Sequence, residues 1–201
     1  MPRITNVRCY WSSSVGDAEN GHPAVGNIAL SKLFERPRGH SVAIFVGIGS
    51  NIDDPISKVR AGLQALGHLP RTYLVAKSTL YRNPPIGMAA QPDFVNAVAA
   101  LETRLSPWSV LRQLQAIEAR YGRVRTGMHW GPRTLDLDLL LYGEMQIATA
   151  GLTVPHPGLH ERAFVLYPLY EISPNLEIPG HGPLTVLLRC VSSEGLLPID
   201  T

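Results

Sequence analysis

The chain has 201 residues, 45% of them hydrophobic, with 18 Lys+Arg against 16 Asp+Glu, so it can bury a core and is too apolar for global disorder. No apolar run approaches the roughly 20 residues that span a bilayer, and the near-neutral balance excludes a protein whose main work is holding nucleic acid. Cys9 and Cys190 form no CxxC and no disulfide framework, and they read as thiols of a reducing, cytoplasmic compartment.

Residues 1–40 carry scattered Ser, Gly, Asn and Pro without periodicity, and lack the apolar stretch of a secretory signal. Asp17, Glu19 and Glu35 interrupt anything resembling an organellar presequence. We expect a poorly ordered extension there and one domain over 41–201. Charge supports the split: 5 basic and 3 acidic side chains lie in 1–40, which leaves the body neutral.

Val42 to Ile48 is a β-branched and aromatic run and predicts a buried strand, with Gly47-Ile48-Gly49-Ser50 read as a tight turn at its end. Asp53 or Asp54 caps a helix opened by Pro55, striped by Ile56, Val59, Leu63 and Leu66, and stopped at Gly67. Tyr73 to Tyr81 predicts a second strand. The consecutive prolines in Asn83-Pro84-Pro85-Ile86-Gly87 demand a loop, and Phe94 to Leu101 predicts a third strand.

Ser106-Pro107 opens the clearest helix, with Val110, Leu111, Leu114 and Ile117 on one stripe and Gly122 at its close. Glu118 on the same side is either an edge residue or a deliberate polar contact. Arg123 to Arg133 is a basic loop. Leu135, Leu137, Leu139 and Leu141 then alternate with Asp136 and Asp138, as in a strand with one buried face. Pro-rich turns at 154–158 and a helical stretch near 159–172 follow. The order β-α-β-β-α-β predicts an α/β (α+β) fold with a ferredoxin-like core, a mostly antiparallel sheet covered by helices.

The chemistry concentrates late in the chain. Asp136 and Asp138 point to one face about 7 Å apart, and hard oxygens without nearby Cys suit Mg²⁺. Between Ala119 and Leu135 there is no acid, but Arg120, Arg123, Arg125 and Arg133 are present. A cationic loop feeding a carboxylate pair is what a metal–polyphosphate site needs. Trp130 either closes over a nucleotide or tucks onto the surface. His156 and His160 have helical spacing, but Pro155 and Pro157 flank the first, so a turn-stabilising or phosphate-facing His156 fits better than a zinc ligand.

The run Trp130-Gly131-Pro132-Arg133-Thr134-Leu135-Asp136-Leu137-Asp138-Leu139-Leu140 resembles the signature of the 6-hydroxymethyl-7,8-dihydropterin pyrophosphokinase family. So do Val46-Gly47-Ile48-Gly49-Ser50-Asn51, the 81–87 and 91–96 segments, and Leu152 to Pro157 with Arg162 and Phe164, over roughly 42–190. The resemblance implies helices on both faces of the sheet, and Mg²⁺-dependent transfer of a diphosphoryl group from ATP to the pterin hydroxymethyl oxygen. It implies a cytosolic monomer or dimer with no nucleic-acid or membrane partner. Asp136 and Asp138 match the pair that holds two Mg²⁺ ions, and Arg125, Arg133 and Arg162 match phosphate contacts. Gln115, Glu118, Trp130, Leu139, Thr153 and His156 match nucleotide-site positions. Phe94 and Phe164 match the rings that sandwich the pterin, with Asn96 at its edge and Pro84 and Ile86 beside it.

Three positions depart from the pattern. Gly151 stands where some members have arginine, Pro157 where some have tyrosine, and Asn83 where some have threonine, the last with little effect expected if the backbone makes the contact. The loops at 83–92 and 123–133 are expected to close over both substrates. Nucleotidyl transfer is the nearest enzymatic alternative, but 85 residues separate Ser50 from Asp136. A non-catalytic nucleotide- or pterin-binding module is the other, and it should lack an aspartate or the arginines that this chain keeps.

Overall fold

The computed structural model describes residues 41–85, 91–122 and 134–199. The expected extension 1–40, and Ile86, Arg125, Trp130 and Arg133, lie outside the described residues.

The first half follows local signals. Strand β1 (Val42–Ser50) leads to helix α1 (Pro55–Leu66), then β2 (Thr72–Lys77), β3 (Leu80–Asn83), β4 (Phe94–Thr103), helix α2 (Pro107–Arg120) and β5 (Asp136–Tyr142). Asp54 is the α1 cap, accepting the Ser57 N–H at 3.3 Å, and the Ser57 hydroxyl together with that N–H holds its carboxyl below the usual range. Ser106 caps α2 by accepting the Ser109 N–H at 3.3 Å, with Pro107 in the first turn. Because the cap satisfies an otherwise orphaned donor, Ser106→Ala should destabilise the protein by about 1 kcal/mol, read as a fall in Tm of about 3 °C.

The expected second strand is two. β2 and β3 are separated at Ser78–Thr79, where one extra residue shifts the pairing along β4. Ser78 stays attached there: its N–H donates to Val98 O at 2.9 Å and its hydroxyl accepts the Val98 N–H at 3.0 Å. Glu171, on helix α3 (Ala163–Ile172), accepts from the Thr79 N–H, the Thr79 hydroxyl and the Tyr81 hydroxyl at 2.8, 2.6 and 2.9 Å. Burial and the Glu171 carboxyl beside it push the Tyr81 phenol well above its ordinary range.

The sheet order is β10-β3-β4-β1-β5, with β2 also on β4 and β10 being Leu197–Ile199. Every pairing in it is antiparallel. Read without β10, this is the ferredoxin-like arrangement. Two small hairpins, β6 (Ile147–Thr149) with β7 (Leu152–Val154) and β8 (Glu177–Ile178) with β9 (Gly182–Pro183), a 3-10 turn at Leu159–Glu161 and the short α4 (Leu184–Leu188) complete the described elements.

Two cores lie on the two faces. On one, α1 and α2 contribute Val59, Leu63, Leu66, Val110, Leu114 and Ile117, against Ile44, Val46 and Ile48 of β1 and Leu137 and Leu139 of β5. On the other, Val165, Leu166 and Leu169 of α3 and Leu184 of α4 pack on Phe45, Val98, Ala100, Leu140 and Leu141. Strict alternation predicted Leu141 on the side of Leu139. A register shift opposite Phe45/Val46 turns both Leu140 and Leu141 to the α3 side instead, the local effect of an extra residue in one strand.

Candidate active site

With Leu135, Leu137 and Leu139 in the α1/α2 core, alternation turns Asp136 and Asp138 to the α3 face. On β4, Val95 and Ala97 belong to the α1/α2 core, so Phe94 and Asn96 face the same way as the aspartates. The register aligns Asp136, Gly49, Asn96 and Tyr81 in one row across four strands, and Asp138, Gly47 and Val98 in the next.

Gly47 and Gly49 are therefore not a turn. They sit inside β1, two apart on one face, and keep it bare between the carboxylates and Asn96. A Cβ at Gly49 would lie 2.6 Å from Asn96 Oδ1, and one at Gly47 would touch Leu140 at 3.4 Å. The spacing of two, rather than either glycine alone, was the signal in the sequence.

The acidic bank has a fixed neighbour. His156 Nε2 lies 3.7 Å from Asp138 Oδ2, beyond hydrogen-bond length. Its Nδ1 accepts the Gly158 N–H at 3.2 Å, which leaves the neutral ring's proton on Nε2, facing Asp138. Burial holds the imidazole below its ordinary pKa. Asp138 pulls it up, Arg162 pushes it down, and Asp136 adds a smaller upward pull. The His156 N–H donates to Leu140 O at 2.9 Å, so the turn is tied to β5. The Arg162 guanidinium rests on Gly158, where a Cβ would come within 2.6 Å of it, and lies 5.9 Å from the centre of the Phe164 ring. His160 belongs elsewhere: its ring stacks on His181 at 4.3 Å and shares no metal-binding face with His156.

On the other bank, Phe94 opens β4, half-buried, and Pro84 is exposed just past β3; Phe164, in the first turn of α3, is half-buried beside Arg162. Asn96 is buried, and its Nδ2 donates to Asn83 Oδ1 at 2.6 Å. Asn83 is also buried, and its own Nδ2 donates to Pro84 O at 2.9 Å. Both ends of the Asn83 amide are therefore engaged.

The remaining nucleotide-site positions divide. Glu118 is 2% exposed and its Oε1 accepts the Leu137 N–H at 2.8 Å, so it is a deliberate polar contact that holds the outer edge of β5 between the two aspartates. Leu139 buries its side chain under α1 and α2, so only its backbone can face a nucleotide. Gln115 is half-buried on α2, and Thr153 is exposed on β7. Gly151 has φ +92°, and a Cβ there would meet the Trp108 ring at 3.6 Å. An arginine on this backbone would be strained. Pro157 is exposed in the turn.

Two residues were not singled out from sequence. Ser50 donates to Thr134 O at 2.7 Å, and Asn51 donates to Gln91 Oε1 at 3.2 Å and Pro92 O at 3.4 Å. Both are buried at the end of β1, tying it to the start of β5 and the approach to β4. In the sequence both appear only within the Val46–Asn51 run, and no local signal told what each one holds.

No cluster of three or more His, Cys, Asp or Glu that could hold a metal occurs among the described residues. Two same-face carboxylates suit Mg²⁺, which keeps several waters and is commonly held by one or two carboxylates plus substrate phosphates. A groove of about 510 Å³ between α1 and α2, lined by Gln64, His68, Arg120 and Tyr121 among others, lies on the opposite side of the sheet from these carboxylates.

Comparisons with known proteins point to one family. A family model for 7,8-dihydro-6-hydroxymethylpterin-pyrophosphokinase matches residues 45–174. The chain is 49% identical over 153 residues to a Pseudomonas aeruginosa 2-amino-4-hydroxy-6-hydroxymethyldihydropteridine pyrophosphokinase, covering 76% of this chain and 94% of the relative. It is 42% identical over 159 residues to a Haemophilus influenzae protein of the same name, covering 79% and 99%. Its fold is similar to Plasmodium falciparum HPPK-DHPS crystallised with pterin and p-hydroxybenzoate, at TM-score 0.64 and 11% identity, covering 85% of this chain and 49% of that one. The wild-type form of that protein gives TM-score 0.59 at 11% identity, and this chain spans 45% of its length.

Proposed function

Because this chain belongs to the 7,8-dihydro-6-hydroxymethylpterin-pyrophosphokinase family, we propose a division of labour among its residues for that family's reaction. The protein is an enzyme of folate biosynthesis. It transfers pyrophosphate from ATP to the hydroxymethyl group of 6-hydroxymethyl-7,8-dihydropterin and releases AMP.

The observation that carries the assignment is the row Asp136–Gly49–Asn96, which sets a carboxylate bank and an amide bank on one face with bare backbone between them. The triphosphate lies on the acidic bank, where Asp136 and Asp138 hold Mg²⁺, two ions in the full complex. Bound magnesium supplies charge neutralisation and polarises the phosphoryl oxygens. Arg162 adds a guanidinium that can bind phosphate oxygens in bidentate fashion, and its rest against Gly158 limits its freedom. His156 offers an N–H at the rim of the same bank. Arg125, Arg133 and Trp130, with Gln115, Glu118, Thr153 and the Leu139 backbone, complete the nucleotide side.

The pterin lies on the other bank. A flat heteroaromatic ring is bound well between two aromatic faces, the role given to Phe94 and Phe164. Asn96 reads its edge, and Pro84 and Ile86 flank it. The hydroxymethyl oxygen attacks the β-phosphorus, forming the new O–P bond as the bond to the AMP oxygen breaks. The alcohol proton leaves to a carboxylate or to water, and no dedicated base is assigned. As in other phosphoryl transfers, positioning and charge neutralisation do most of the work.

The enzyme acts as a monomer or homodimer in the cytoplasm, in keeping with cysteines that form no CxxC. No helix among the described residues is long and apolar enough to cross a membrane. Incubation with ATP, Mg²⁺ and the hydroxymethyl dihydropterin, followed by chromatography, should give equal amounts of AMP and pterin diphosphate. Release of free pyrophosphate in place of AMP would indicate nucleotidyl transfer instead.

A further inference from the structure

The hydrogen bonds around Asn83 fix more than its own side chain. A backbone carbonyl can only accept, so the group of Asn83 that faces Pro84 O at 2.9 Å is its amino group. Asn83 Oδ1 must then point the other way, and it meets the Asn96 amide at 2.6 Å. A carbonyl oxygen cannot bond another carbonyl oxygen, so Asn96 presents Nδ2 to Asn83. Its Oδ1 is thereby turned to the opposite side, over Gly49, on the bare strip between the two banks. The relay Pro84 O, Asn83, Asn96 thus selects one of the two flip states of the Asn96 amide.

Residue 83 is the right place for such a device. Asn83 pairs with Phe94 and Tyr81 with Asn96 across β3 and β4, so Asn83 lies diagonal to Asn96 on the same face. Both amides are buried, where water cannot replace a lost partner. A hydroxyl at 83 could donate or accept, and would leave the flip state of Asn96 undetermined. An amide locked at its far end by a backbone carbonyl cannot.

We infer that Asn83 is a specificity-determining positioning residue: it holds the Asn96 amide with its oxygen toward the centre of the site, so that the pterin subsite favours a ring edge offering an N–H donor there. The inference rests on the reading of Asn96 as a pterin contact and deepens it.

The test compares Asn83→Leu, Asn83→Asp and Asn96→Ala in the full chain, measuring KM for the hydroxymethyl dihydropterin and for ATP separately, with Tm as a fold control. Asn83→Leu removes both hydrogen bonds at similar volume. It should raise the pterin KM about tenfold, the loss of one well-oriented hydrogen bond, and leave the ATP KM within about twofold. Asn83→Asp gives up the donor to Pro84 O but keeps an acceptor opposite Asn96 Nδ2, so the Asn96 amide keeps its orientation and the pterin KM should stay within about threefold of the parent. An unchanged pterin KM in the leucine variant, or equal damage in both Asn83 variants, overturns the inference. If the leucine variant does not fold, the aspartate variant decides alone, and a rise in pterin KM beyond about tenfold overturns it. Asn96→Ala separates the two layers. If it leaves the pterin KM unchanged, the reading of Asn96 fails. If it raises the pterin KM and Asn83→Leu does not, only the relay fails.

Discussion

Asp138→Ala should lower kcat for AMP formation by about a thousandfold, close to 4 kcal/mol of transition-state stabilisation, while Tm in the absence of magnesium moves by only a few degrees. The two halves of that expectation have different causes. The catalytic loss follows from removing one of two same-face carboxylates from the phosphate bank. Stability changes little because the Asp138 side chain is 38% exposed and lies within like-charge reach of Asp136. Losing its contacts is partly offset by relief of that repulsion, and exposed charge pairs contribute about 0–1 kcal/mol. Turnover within tenfold of the parent enzyme, measured at saturating ATP and magnesium, would remove Asp138 from the metal site.

Glu118→Ala has the second largest expected effect, and it tests what kind of residue Glu118 is. Its Oε1 is the acceptor for the Leu137 N–H, and Leu137 separates the two aspartates. Truncation leaves a buried donor without its partner, which costs about 1–3 kcal/mol, and a small void adds to that. A loss of about 2–4 kcal/mol should lower Tm by about 6–12 °C in a chain of this size. Because the same stretch of β5 carries the carboxylates, the ATP KM should also rise about tenfold, as when a support behind a metal ligand is removed. Glu118→Gln retains an acceptor and should recover most of the Tm. If instead both variants raise the ATP KM with no change in Tm, Glu118 serves the nucleotide alone and its hold on the strand is incidental.

The parts of the fold that could be read from sequence were those set by local chemistry. Asp54-Pro55 and Ser106-Pro107 start helices through side-chain caps and a fixed φ, and neither needs a distant partner. The alternation of 135–139 oriented the aspartates correctly because period two is a property of the strand itself. The parts that could not be read depend on contacts between distant residues. The break between β2 and β3 falls in a run with uninterrupted strand propensity, and what holds it is Glu171, over 90 residues away. Leu140 and Leu141 share a face only because of an extra residue in register with β1. β10 is three residues with a proline, too short to declare itself before it is seen on β3.

The candidate site divides along the same line. Its residue types were legible, because carboxylates, arginines and aromatic rings announce their chemistry. Its supports were not. Ser50, Asn51 and Asn83 are small polar residues that look alike in any loop, and only their partners show what each secures. Leu139 shows how far alternation alone carries: next to the acidic pair in sequence, its side chain points away from them into the α1/α2 core, as period two requires.

The bare strip on β1 also sets a length. Asp136 and Asn96 are each one strand away from Gly49, so their separation is twice the spacing between hydrogen-bonded neighbours, about 10 Å. That interval comes from main-chain bonding, and side-chain rotation on either flank does not change it. On the proposed placement of the two substrates, the sheet acts as a ruler that registers donor against acceptor.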